Sequence, residues 1–172
     1  MHPLLERIAA RCGETVMLAV FDGREVVYLD KFDSLRALRI YSRIGHNAPL
    51  HCGAMGKAIL AGLSTDDAER LLGPDPLERF TANTITNRQA LSAHLATIRK
   101  QGYAVSSEEL DVGVLGVGIP LLDWAGHPVG AISVTGPRLR LDDTRPNVLA
   151  PVLRDAAAEW RRATQREFAP SC

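Results

Sequence analysis

The chain has 172 residues, 46% hydrophobic and 23% charged, a size and composition that suit one globular domain with its own core. Its 20 Lys and Arg balance its 20 Asp and Glu, so the net charge is zero and the basic excess of a phosphate-gripping surface is missing. No apolar run approaches the roughly 18 residues of a membrane span and no charged-then-apolar leader opens the chain, so no membrane partner and a cytoplasmic location are expected.

Leu4 to Arg11 reads as a short helix with Leu4, Leu5 and Ile8 on one face, stopped at Gly13. The apolar run Thr15 to Phe21 reads as a strand covered on both faces. Asp22-Gly23 signals a hairpin turn, with Glu25 to Phe32 returning. Leu35 to Ser42 alternates Leu38, Ile40 and Ser42 against Arg39 and Tyr41, which predicts a third, half-exposed strand.

A loop with Gly45, His46 and Pro49 follows, then a helix rich in small residues from Gly53 to Leu63. Ser64 is placed to cap the next helix, and Asp66 and Asp67 suit its positive end. Gly73 to Asn83 reads as loop. Thr86-x-x-Gln89 matches a capping box for a helix carrying Leu91, Leu95 and Ile98, ended by Gly102. Strands are expected over Tyr103 to Ser106, Val112 to Leu122 and Val129 to Thr135, with the turn Asp123 to Gly126 between the last two. The final helix has Leu149, Val152, Leu153, Ala156 and Trp160 as its stripe, with Pro146 and Pro151 confining or kinking it. Strands, helices, strands, then a helix is the order of an α+β domain with a largely antiparallel sheet.

Several segments, in order and spacing, resemble the effector-binding domain of the isocitrate-lyase-regulator (IclR) type of bacterial transcription regulators. They are Gly13-Glu14-Thr15, Leu50 to Leu60 (LHCGAMGKAIL), Phe80-Thr81, Ile98-Arg99 with Gly102-Tyr103, Glu108-Glu109 with Gly113, and Ile132 to Pro137 (ISVTGP). The resemblance implies a GAF-like fold, a curved antiparallel sheet of about six strands with helices on its faces and a metabolite pocket. It further implies the end of an interdomain linker helix over 1–13, an effector-binding domain over 14–166 and a tail over 167–172. A winged helix-turn-helix, absent from this chain, would make the DNA contacts, and a homodimer or tetramer is implied.

A helix start at Gly53 offers unpaired N–H groups and a positive dipole end to a carboxylate, although Gly53, Ala54 and Gly56 could equally serve close packing. The resemblance assigns effector contacts to Ala54 and Met55, where Met55 replaces a small residue and would fill space or touch an aliphatic or aromatic effector. It builds the second wall from Ser106, Val114, Gly116 and Ser133, and the mouth from Ile40, Ser42 and Ala48. The family position of Ser106 often carries Asp, and that of Gly116 a contacting side chain. A roomier, less charged pocket is therefore expected, for an organic acid larger than pyruvate, an aromatic acid among the options. Val114 also reads as plain core and Ser133 as a strand residue with a satisfied hydroxyl. Lys57 is expected to seek water and Glu109 to belong to a solvated turn.

The alternative chemistry rests on Cys52, whose place beside His51 at a helix start would lower a thiol pKa, as in a GAF-like redox sensor or enzyme. Cys12 and Cys172 are too distant in sequence to be evident resolving partners. No catalytic residue, cofactor or metal is assigned, because His46, His51 and Cys52 do not form a known zinc spacing and no Walker loop, G-x-S-x-G or H-E-x-x-H occurs.

Overall fold

In a computed structural model the described residues are 1–167, so Cys172 and all but the first residue of the expected tail lie outside them. Helix α1 spans His2–Cys12 and closes at Gly13, which takes the left-handed conformation that a helix end of this kind needs. Strands β1 (Thr15–Phe21) and β2 (Val26–Phe32) form a hairpin whose turn is held by the Asp22 carboxylate, which accepts from the Arg24 and Glu25 amides at 2.9 Å. Then come β3 (Asn47–Ala48), α2 (Ala54–Gly62), α3 (Thr65–Leu71) and α4 (Arg88–Gln101). Strands β4 (Ala104–Ser107), β5 (Val114–Leu122) and β6 (Pro128–Pro137) precede α5 (Arg145–Glu167). The strands make one six-stranded sheet in the order β3-β2-β1-β6-β5-β4, antiparallel throughout.

The period of two along the strands splits this sheet into unlike faces. Val16 and Leu18 of β1, Leu115, Val117, Ile119 and Leu121 of β5, and Ile132 and Val134 of β6 face α1 and α5. With Leu5, Ile8, Leu149 and Leu153 they form the largest apolar cluster. The intervening positions face α2, where Met17, Ala19 and Ala131 meet Met55 and Ile59. A further cluster joins α2 to α3 and α4 through Leu60, Ala68, Leu91 and Leu95.

The expected strand over Leu35 to Ser42 does not form. The outer edge of β2 is already used: Val26 and Val27 pair with β3, and the Tyr28 amide and carbonyl bond His46 and Gly45. Residues 35–42 are left with scattered anchors, among them the Thr15 hydroxyl on the Ile40 carbonyl at 3.4 Å and Arg140 on the Leu38 carbonyl at 2.8 Å. Leu35, Leu38 and Tyr41 consequently stand in solvent.

The capping box is also displaced. Asn87, not Thr86, caps α4, accepting from the Ala90 amide at 2.9 Å, while the Thr86 hydroxyl accepts from Arg79. Asn is the stronger capping residue of the two. Ser64 caps α3 as its sequence suggests, accepting from the Asp67 amide at 3.1 Å. Helix α5 is not confined by its prolines: Pro146 falls in the first turn, where its missing N–H costs nothing, and the helix continues through Pro151.

Candidate functional site

Between α2 and the sheet face it covers lies a cavity lined by Ile40, Ser42, Ala48, Gly53, Ala54, Met55, Ser106, Val114, Gly116 and Ser133, together with Met17, Tyr28, Cys52, Gly56, Leu110, Asp111 and Thr135. Every residue named from the sequence as a candidate contact is thus brought to one wall system. The register explains the floor. Met17 lies opposite Ser133 across β1 and β6, Gly118 opposite Ser133 across β5 and β6, and Gly116 opposite both Thr135 and Ser106. Residues of adjoining strands with one pleat phase point to one side.

The roof is the start of α2. Gly53 precedes it with φ 73°, a backbone conformation natural to glycine, and no side chain caps the first turn. The early amides of a helix have no intrahelical acceptor, and the dipole adds positive potential there. Opposite them, the Ser133 residue is only 1% exposed and its hydroxyl, buried among the described residues, has no hydrogen-bond partner. The expectation of a satisfied strand hydroxyl is therefore overturned. Ser106 is buried as well, and burial, helped by the Asp111 charge, pushes the half-buried Tyr28 phenol up from its ordinary value.

Gly116 does not widen the cavity as expected. A methyl group added there would stand 3.3 Å from both the Ala54 β-carbon and the Thr135 hydroxyl, and one added at Gly118 would stand 2.8 Å from the Ala54 carbonyl oxygen. Both glycines are used to bring α2 down on β5. At Gly56 an added carbon would meet the Pro49 carbonyl at 2.2 Å, so its small size also serves packing. The cavity is small, with about 60 Å³ of free room, enough for only a few water molecules.

One turn further along α2, Lys57 is fully buried, contrary to its expected exposure. Its ammonium is paired with Glu109 and donates to the Val105 carbonyl at 2.7 Å and to His94 Nε2 at 3.1 Å. Three acceptors match its three N–H bonds. Burial, with the Lys57 charge, holds the His94 imidazole below its ordinary range, leaving a neutral ring able to accept. Glu109 is buried too, not solvated, and its second carboxylate oxygen has no partner among the described residues.

This pair clamps the turn that carries Leu110 and Asp111. Thr81 donates to the Glu108 carbonyl at 2.6 Å and Thr84 to the Glu109 carbonyl at 2.7 Å, while the Glu108 carboxylate accepts from the Gly113 amide at 2.7 Å. Glu108 takes a positive φ of 56° to make that turn, and it does not line the cavity.

Cys52 lines the cavity but is 1% exposed, and burial, reinforced by Glu109, pushes its thiol up to about 12. Burial outweighs the helix start at this thiol, which counts against the nucleophile reading. His51 donates from Nε2 to the Glu78 carbonyl at 2.8 Å and packs against Phe80, while His46 is exposed, so the histidines and Cys52 do not converge. Among the described residues no group of His, Cys, Asp or Glu is arranged to hold a metal ion, and no helix is long and apolar enough to cross a membrane.

Thr135 and Met17 were legible in principle, since each shares a pleat phase with a residue already named. Tyr28, Leu110 and Asp111 carry no such signal, because a hairpin edge and a turn bring them in.

The comparisons with known proteins agree with this construction. Residues 1–162 match the family described as bacterial transcriptional regulator IclR C-terminal. The chain is 36% identical over 158 residues to the HTH-type transcriptional regulator BhcR of Paracoccus denitrificans, covering 92% of this chain and 57% of that protein. It therefore spans little more than half of that relative. A crystal structure of the Thermotoga maritima IclR superposes with a TM-score of 0.89 at 37% identity, covering 94% of this chain and 66% of that one. The inducer-binding domain of the PobR transcription factor from Acinetobacter, a double mutant in complex with 3-hydroxybenzoic acid, superposes at 0.82 with 25% identity, covering 92% and 94%. The curled, GAF-like antiparallel sheet is common to these structures, and the chain belongs to the IclR family of bacterial transcriptional regulators, as its C-terminal domain.

Proposed function

We propose that this domain senses a small organic acid and passes the result to a winged helix-turn-helix outside the chain, through the linker helix that α1 would end. One observation carries the proposal: a buried, unpartnered Ser133 hydroxyl facing an uncapped helix start across a cavity. A buried hydroxyl without a partner costs free energy, and a carboxylate accepting from it and from the Ala54 to Gly56 amides would remove that cost. The acid's body would lie against Val114, Met55 and Ile40, with Ser42, Ala48, Gly53, Ser106 and Gly116 completing its surroundings.

An acid larger than pyruvate fits if Met55 or the 43–50 loop yields, and the 3-hydroxybenzoic acid complex of the PobR domain supports aromatic effectors for this fold. The ligand acts through unequal affinity for two arrangements of the domain, with the 43–50 loop or an oligomer interface as the element that shifts. The exposed Leu35, Leu38, Tyr41 and Ile44 support self-association as a homodimer or tetramer in the cytoplasm. The protein acts as a regulator, not an enzyme, and touches DNA through its other domain.

A melting screen of this chain against organic acids tests the reading, since a ligand of the folded state raises apparent stability. At least one acid is expected to raise Tm in a dose-dependent way, and Ala54→Trp to abolish the rise. A shift that survives Ala54→Trp places the ligand elsewhere and overturns the proposal.

A further inference from the structure

The cavity is electrically lopsided. Among its lining residues no Lys, Arg or His appears, and the one carboxyl side chain is that of Asp111. Asp111 is exposed at the mouth, and its carboxylate accepts no hydrogen bond and forms no ion pair among the described residues. The turn that presents it is rigidly built, held by Thr81, Thr84, the Glu108 carboxylate and the buried Lys57–Glu109 pair. Leu110, its neighbour, lies 3.8 Å from where a Gly53 β-carbon would stand, so the turn is packed against the start of α2. The Asp111 charge is felt at both Tyr28 and Cys52, on two different walls.

We propose that Asp111 is the specificity-determining residue of this site, selecting an acid whose second end is a hydrogen-bond donor, a hydroxyl or an ammonium group. The inference rests on the organic-acid reading above. A single carboxylate is met by the α2 amides and Ser133; a second carboxylate would meet the Asp111 charge with no cation to offset it. A donor at that end meets an acceptor whose lone pairs are free, in a cavity that Tyr28 also lines. Charge-assisted hydrogen bonds of this type are stronger than neutral ones, and the gain grows as the ligand excludes water from the mouth.

The test is calorimetric titration of this chain with matched straight-chain acids ending in methyl, hydroxyl, ammonium or a second carboxylate. On the unaltered protein the hydroxyl and ammonium acids are expected to bind about five- to tenfold more tightly than the methyl acid, the size of a hydrogen bond to an ionised group at a partly solvated site. The dicarboxylate should bind most weakly. Asp111→Asn, an exposed and nearly isosteric change, should erase the ammonium advantage, strengthen the dicarboxylate and leave the methyl acid unchanged. Raising the salt concentration should shrink the ammonium preference on the unaltered protein but not the hydroxyl preference. An order of affinities that Asp111→Asn leaves intact, or a dicarboxylate that binds the unaltered protein best, overturns this inference alone. No binding by any acid, or binding indifferent to Ala54→Trp, overturns the carboxylate site itself and this inference with it.

Discussion

The two faces of the central sheet are built from the same strands and behave as different materials. Toward α1 and α5, β5 presents Leu115, Val117, Ile119 and Leu121, and the face is a continuous apolar core. Toward α2 the intervening positions are Val114, Gly116, Gly118 and Pro120, and β6 adds Ser133 and Thr135. Large side chains fill one side to the density of an interior; on the other, small ones let a helix approach closely yet leave a polar-lined gap beside its start. The contrast suggests a division of labour, in which the filled face supplies stability and the thinned face carries the site.

Lys57, a charge buried on the thinned face, is the position where a single substitution should cost the domain most. Lys57→Met should destabilise the domain by about 3–5 kcal/mol in denaturant melts, because it strands the Glu109 carboxylate without its counter-ion. Adding Glu109→Gln should recover much of that loss. On the filled face, Leu115→Ala is expected to cost about 2–5 kcal/mol, with calorimetric ligand affinity unchanged in the fraction that remains folded. An equal loss of affinity would show that the faces are not separable.

Changes where α2 sits on the sheet should cost less. Gly118→Ala pushes a methyl group against the Ala54 carbonyl and should cost about 1–3 kcal/mol, while also weakening the effector by displacing the α2 start. Ser133→Ala should slightly raise the stability of the ligand-free domain, since it removes a buried hydroxyl that has no protein partner, yet weaken acid binding in the same titration.

The smallest effect is a pH dependence. The Cys52 thiol is pushed up to about 12 from an ordinary 9.0. Below pH 9 it is protonated in both folded and unfolded chains and contributes no pH dependence. Between those values only the unfolded chain ionises, so stability falls as pH rises. Melts of Cys52→Ala should show a shallower decline above pH 9, and iodoacetamide should label Cys52 of the native protein slowly at pH 8.

Much of the fold was readable because local signals and tertiary demands coincide. The apolar run of β1, the Asp22-Gly23 turn, the Ser64 cap and the glycines ending α1 and α4 each act within a few residues. The misread strand at 35–42 shows the limit of alternation. Only its last part reports alternating environments, Ile40 and Ser42 turning to the cavity mouth and Tyr41 to solvent with no ladder needed, while Leu38, in phase with Ile40, is exposed. Within the site, the helix-start residues and the second wall followed from the resemblance. Asp111 did not, because its place depends on a clamp joining residues far apart in the chain.

The family, the antiparallel α+β class and the small-residue helix start are legible along the chain, since they depend on residue type, order and spacing. The pairing of buried Lys57 with Glu109, the burial that pushes the Cys52 thiol up, the use of Gly116 and Gly118 to seat a helix, and the unpaired Ser133 hydroxyl emerge only on folding. Burial and charge pairing are properties of neighbours in space, and those neighbours come from distant parts of the chain.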